Sequence, residues 1–227
     1  MDDAVAEAAN DEVQTDDDGV ESNARLTGVV GAILLVALAV EGVTVLSVGD
    51  MLTLHIFVGL FIVPPVLVKL ASTGYRFFHY YKGTAAYRRK GPPHPILRIA
   101  APLVIAATIA LLLTGVVTLA LGPRHSDTWL TLHQGSFIAW FILMTVHVVG
   151  HAVETWKLTS DELRASPPIP RRGVRVALVA ASVGIGLVLG VASLNWTDAW
   201  QNRPRGGDGA PATQRVRELH ECSSELV

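Results

Sequence analysis

Five long apolar runs alternate with short polar breaks along the chain. They cover Leu26–Val48, Met51–Thr73, Ile99–Leu121, Trp129–Val153 and Val174–Leu194. A helix of about 20 apolar residues crosses the hydrocarbon core of a bilayer. A lone strand there would leave its backbone groups unpaired, so helices are the economical reading. Gly49-Asp50 and Gly122-Pro123 read as short turns joining neighbouring spans. The pattern predicts an all-α integral membrane bundle of five transmembrane helices, with residues 25–195 as the membrane domain and a lipid bilayer as its surroundings. A polar tail is expected over 196–227, with a short helix near Gln214–His220.

Composition agrees with the pattern. Hydrophobic residues make up 50% of the 227-residue chain, charged residues 17%, and mean hydropathy is +0.41. The only cysteine, Cys222, excludes an internal disulfide, a CxxC zinc site or a cysteine-held cluster within the chain.

The net charge of −2 conceals an uneven distribution. Asp2, Asp3, Glu7, Asp11, Glu12, Asp16, Asp17, Asp18 and Glu21 crowd the start. A signal peptide needs a basic start followed by an apolar run. Residues 1–24 read instead as a disordered acidic tail. Basic residues collect between spans two and three (Arg76, Lys82, Arg88, Arg89, Lys90, Arg98) and between spans four and five (Lys157, Arg164, Arg171, Arg172, Arg175). The positive-inside rule places both segments in the cytoplasm. That implies a multi-pass plasma-membrane protein with a cytoplasmic N-terminus and an outer C-terminus. Anionic lipid headgroups are an added partner for the first basic segment. No nucleic-acid partner is expected.

Ionisable side chains inside a membrane are costly and point to function. Spans one, three and five carry no histidine, whereas spans two and four carry His55, His133, His147 and His151. His55 and His133 each lie four residues into their span, both spans running inward, so the two imidazoles share a depth near the outer face. Two histidines at one level on facing helices can fill both axial positions of a haem iron. His133 and His147 are fourteen residues apart. That spacing returns to within about 40° of one direction over a rise of about 21 Å. Such an arrangement suits two haems stacked across a membrane. Gly59, Gly135, Gly150 and Gly115 leave room beside the histidines, although glycine is frequent in membrane helix contacts generally.

The segments Leu54-His55-Ile56-Phe57-Val58-Gly59 and Leu132-His133 through Val146-His147 resemble the bacterial membrane-bound cytochrome b family. That family includes the di-haem b subunits of formate dehydrogenases and nickel–iron hydrogenases. The resemblance covers roughly Leu26 to Val153. It implies a haem-binding four-helix core plus one extra helix, and electron transfer between a quinone pool and a soluble or membrane redox partner subunit. It also implies haem ligation by His133 and His147, with His55 as partner of the outer haem. The pattern breaks at Ser22–Leu26, where the family's second inner ligand would lie and no histidine occurs. One haem b is therefore better supported than two, with quinone as a second small molecule.

Lys69 lies fourteen residues after His55 and should share the depth of His147, unless Pro64-Pro65 bends the helix and spoils the phase. It can ligate iron as a neutral amine, hold a propionate, or simply snorkel to the interface. His151 reads as a propionate partner, a supporting residue or an interfacial one. Glu41 is either solvated near the outer end of span one or a quinol proton acceptor. Two other functions compete: a histidine-lined metal or proton transporter, and a non-catalytic anchor subunit. The chain has no nucleotide-binding glycine fingerprint.

Overall fold

A computed structural model describes residues 2–83, 95–164 and 171–201. Five helices carry the described residues, and no strand occurs among them: α1 (Asp2–Leu46), α2 (Val48–Lys82), α3 (Pro95–Leu121), α4 (Asp127–Arg164) and α5 (Arg172–Gln201). All five are long and apolar enough to cross a membrane. Large apolar side chains face outward along them, among them Val36, Ile138, Ile142, Val149, Val153 and Val188. In water such a surface would be an aggregation liability, but in lipid it is the solvated face. The chain is an all-α multi-pass membrane bundle.

α1 packs on α2 and on α4; α3 packs on α4 and more loosely on α2. The four helices thus run round a ring in chain order, with α2 and α4 at opposite corners. α5 lies outside the ring, mainly against α2. The core joining α1 to α2 is aliphatic, built from Val30, Leu34 and Ala37 against Val58, Ile62 and Val66.

Several boundaries differ from those expected. The acidic segment forms the first turns of α1, where a disordered tail was expected. Alanines at 4, 6, 8 and 9 are strong helix formers, and acidic residues at a helix N-terminus complement its dipole. The first turn sits at Ser47, whose hydroxyl donates to the Asp50 carboxylate at 2.8 Å. Gly49 and Asp50 therefore belong to the start of α2. α3 ends at Gly122, whose φ of +72° suits a residue without Cβ. α2 and α4 run past their expected ends to Lys82 and Arg164, and α5 continues to Gln201, taking in the start of the expected polar tail. The loop holding His94, the Arg88, Arg89 and Lys90 part of the first basic segment and the helix expected near Gln214–His220 lie outside the described residues.

Pro64 and Pro65 are buried within an unbroken stretch of α2, and the helix departs from helical geometry at Met51 instead. Pro65 lacks the N–H that the Phe61 carbonyl would otherwise accept. That carbonyl faces Gly186 of α5, where a Cβ would collide with it. The missing side chain lets the two backbones meet. Gly190 does the same one turn on, beside the ring of Phe57. Beyond the buried Arg175, the buried face of α5 is accordingly a row of small residues, Ser182, Gly186, Gly190, Ser193 and Thr197.

Candidate functional site

His55 and His133 meet across the ring of helices. Their ring centres are 6.3 Å apart and their planes are inclined at 68°. α2 brings His55 in from one corner; α4 brings His133 from the opposite one. The equal depth inferred by counting from the span ends becomes a direct juxtaposition.

Each imidazole is held by its Nδ1. His55 Nδ1 lies 2.8 Å from Glu41 Oε1 and 3.1 Å from Thr44 Oγ1, both on α1. The Thr44 hydroxyl is fully buried and donates to the Glu41 backbone carbonyl at 2.6 Å. His133 Nδ1 lies 3.1 Å from the Leu111 carbonyl on α3, with Thr114 Oγ1 at 3.4 Å. A carboxylate and a carbonyl can only accept, so Nδ1 carries the proton in both rings. In the neutral ring, Nε2 then keeps its lone pair. Among the described residues, neither Nε2 has a hydrogen-bond partner.

The separation can be tested against coordination geometry. A first-row metal holds an imidazole nitrogen at about 2.0–2.1 Å, and the ring centre lies about 1.1 Å farther back, so two imidazoles on opposite sides of one ion have centres about 6.3 Å apart. The observed 6.3 Å matches. Among the described residues, no group of three or more His, Cys, Asp or Glu side chains could hold a metal ion unaided. Two nitrogens on opposite sides suit an ion whose remaining ligands come from a macrocycle, as in bis-histidine haem. By donor type, count and spacing, His55 and His133 fit that group.

Glycine makes space on the α3 side. A Cβ at Gly115 would lie 2.9 Å from His133 Cε1, so the imidazole packs directly on the α3 backbone. The structure also contains a cavity of about 490 Å³. It opens at the α2–α5 seam, lined by Asp50, Met51, Thr53, Leu54, Phe57 and Leu194, away from the His55–His133 axis.

The inner level differs. The ring of His147 contacts that of His151 one turn on, with centres 4.8 Å apart. Lys69 Nζ donates to the Thr27 carbonyl at 2.7 Å and lies where a Cβ of Gly31 would sit. Its Nζ is thus bound to the α1 backbone within the bundle. No second ring contacts His147 among the described residues.

Two residues of the site escaped sequence reasoning in whole or part. Glu41 reads from sequence as solvated or proton-accepting, yet it is the partner of His55. Both residues lie within two turns of the α1–α2 connection, so counting outward from that turn was the available signal. Trp140 lies midway between His133 and His147, seven residues from each. It is buried, and its indole N–H donates to Thr108 Oγ1 at 3.0 Å. A spacing of seven puts all three on one helix face, but a tryptophan inside an apolar run draws no notice. Among the remaining candidates, Tyr75 packs on the ring of His79 near the C-terminal end of α2, and His125 is exposed in the α3–α4 turn. Comparison of the chain with protein-family models, curated proteins and solved structures gives no match.

Proposed function

We propose that the protein is a haem b-binding membrane electron-transfer protein, resembling the bacterial membrane-bound cytochrome b family, that passes electrons between a quinone pool and a redox partner subunit. The observation that carries this reading is the His55–His133 pair: two imidazoles on opposite corners of a four-helix ring, each with its Nδ1 engaged, with ring centres 6.3 Å apart. His55 and His133 are the residues that would hold the group. Haem, when bound, supplies one-electron chemistry at a potential set by axial ligands, hydrogen bonding and burial. The chain's own contribution is to fix both tautomers, hold the rings in register and exclude water. The basic segments support a plasma-membrane topology with both of them in the cytoplasm.

The test is a reduced-minus-oxidised spectrum of protein purified after expression with ample haem. The expected result is the low-spin b-type bands of a bis-histidine site, which neither His55→Ala nor His133→Ala retains. Absence of haem from the wild-type protein would remove the reading.

One observation favours a second function. The Glu41–His55 contact at 2.8 Å is a carboxylate–imidazole pair inside a span, as a proton or cation pathway uses. Proton or divalent-metal flux in vesicles by haem-free protein would support that transporter instead.

A further inference from the structure

The two imidazoles differ in what stands behind them. His55 faces a carboxylate at 2.8 Å, reinforced by a buried hydroxyl; His133 faces a neutral backbone carbonyl at 3.1 Å. An anionic acceptor draws more of the Nδ1 proton's charge than a carbonyl does, and passes electron density round the ring to Nε2. Nor does the Glu41 side chain stand open to water, since it is only 16% exposed. Its place is fixed by Thr44, which bonds the Glu41 backbone carbonyl and lies 3.3 Å from Glu41 Oε2. A Cβ at Gly59 would lie 3.6 Å from Glu41 Oε1, so α2 passes close on that side. A carboxylate within a membrane span needs a reason, and every contact around this one aims it at His55.

We propose that Glu41 is a positioning residue that makes His55 a stronger donor than His133, so that a haem held by the two would depend more on His55 and would have a lower potential than with two carbonyl-backed histidines. The inference rests on the haem reading given above. Its consequence is an order of dependence. His133, held by neutral acceptors, is the ligand that is lost first. His55 is the one whose loss releases the group.

Four variants test this in full-length protein in detergent: Glu41→Gln, Glu41→Leu, Glu41→Asp and His133→Ala. Glu41→Gln keeps an oxygen that can accept from Nδ1 but removes the charge. It should retain haem while the midpoint potential rises. Glu41→Leu removes the acceptor and should weaken haem binding by about 10- to 100-fold, the usual cost of losing such a partner. Glu41→Asp should recover part of both properties. His133→Ala should keep more haem than His55→Ala, with a five-coordinate spectrum.

The ¹⁵N shifts of His55 in haem-free protein give a readout independent of haem. They should show the Nδ1-protonated tautomer in the wild type and a mixture in Glu41→Leu. A haem-loaded wild type whose potential and haem affinity are unchanged in Glu41→Gln and Glu41→Leu would overturn the role of Glu41 while leaving the cytochrome reading intact. If the wild type takes up no haem, the cytochrome reading falls. The ¹⁵N shifts then decide alone whether Glu41 orients His55, and an unchanged tautomer in Glu41→Leu overturns that too.

Discussion

At the scale of single residues, the site depends on keeping each imidazole in one tautomer and one orientation. His133 is the more sensitive to its surroundings, because its ring lies against the backbone of α3 at Gly115. A Cβ there would approach Cε1 to 2.9 Å, closer than side-chain contacts tolerate. The ring can only swing away from Leu111 and out of line with His55. Gly115→Leu is therefore expected to lower the haem-to-protein ratio of purified protein several-fold while circular dichroism keeps its helical signal. A bulkier residue that left haem content unchanged would mean that the ring does not rest where the structure puts it. His55 and His133 were legible as a pair because depth is read by counting along a span of known direction. Glu41 was not legible as their companion. Contact between helices depends on rotation about each axis, and only the packed bundle reveals that.

At the scale of helices, length and apolarity were readable because lipid leaves the backbone no partner but its own carbonyls. The ends were less so. Helices such as α2 and α4 outlast the bilayer, and nothing apolar marks where they stop. Packing between α2 and α5 was not readable at all. Pro64-Pro65 suggested a bend, yet the carbonyl that Pro65 leaves without a donor is met by the Gly186 backbone, and the helix stays continuous. This pairing makes a specific demand on α5. A methyl group at Gly186 would run into the Phe61 carbonyl, a backbone atom with little freedom to yield. Gly186→Ala should destabilise the protein by about 1–3 kcal/mol, the usual cost of overpacking a tight contact. Thermal unfolding in detergent measures it as a lowered midpoint. Gly184→Ala is the control. It lies on the same helix with open space where its Cβ would go, and it should unfold like the wild type.

At the scale of the whole molecule, the ring of four helices has two levels along its axis, and they are unequal. One level has the imidazoles of His55 and His133, from opposite corners, with centres 6.3 Å apart. At the other, His147 contacts its own neighbour His151, and Lys69 donates to the Thr27 carbonyl. Trp140, buried between the two levels along α4, is tied to α3 through Thr108. A macrocycle held at the His147 level would need a second donor facing His147, and the contacts there are with a ring on the same helix and, for Lys69, with a backbone carbonyl. Haem content should therefore be one per chain. Replacing His147 or Lys69 separately (His147→Ala, Lys69→Met) should leave both the ratio and the reduced spectrum as in the wild type, in contrast to the changed spectra expected at His55 and His133. Pyridine haemochrome absorbance against protein concentration measures the ratio. A value near two, falling to one in His147→Ala, would show that the His147 level holds a second group and would overturn the asymmetry between the two levels.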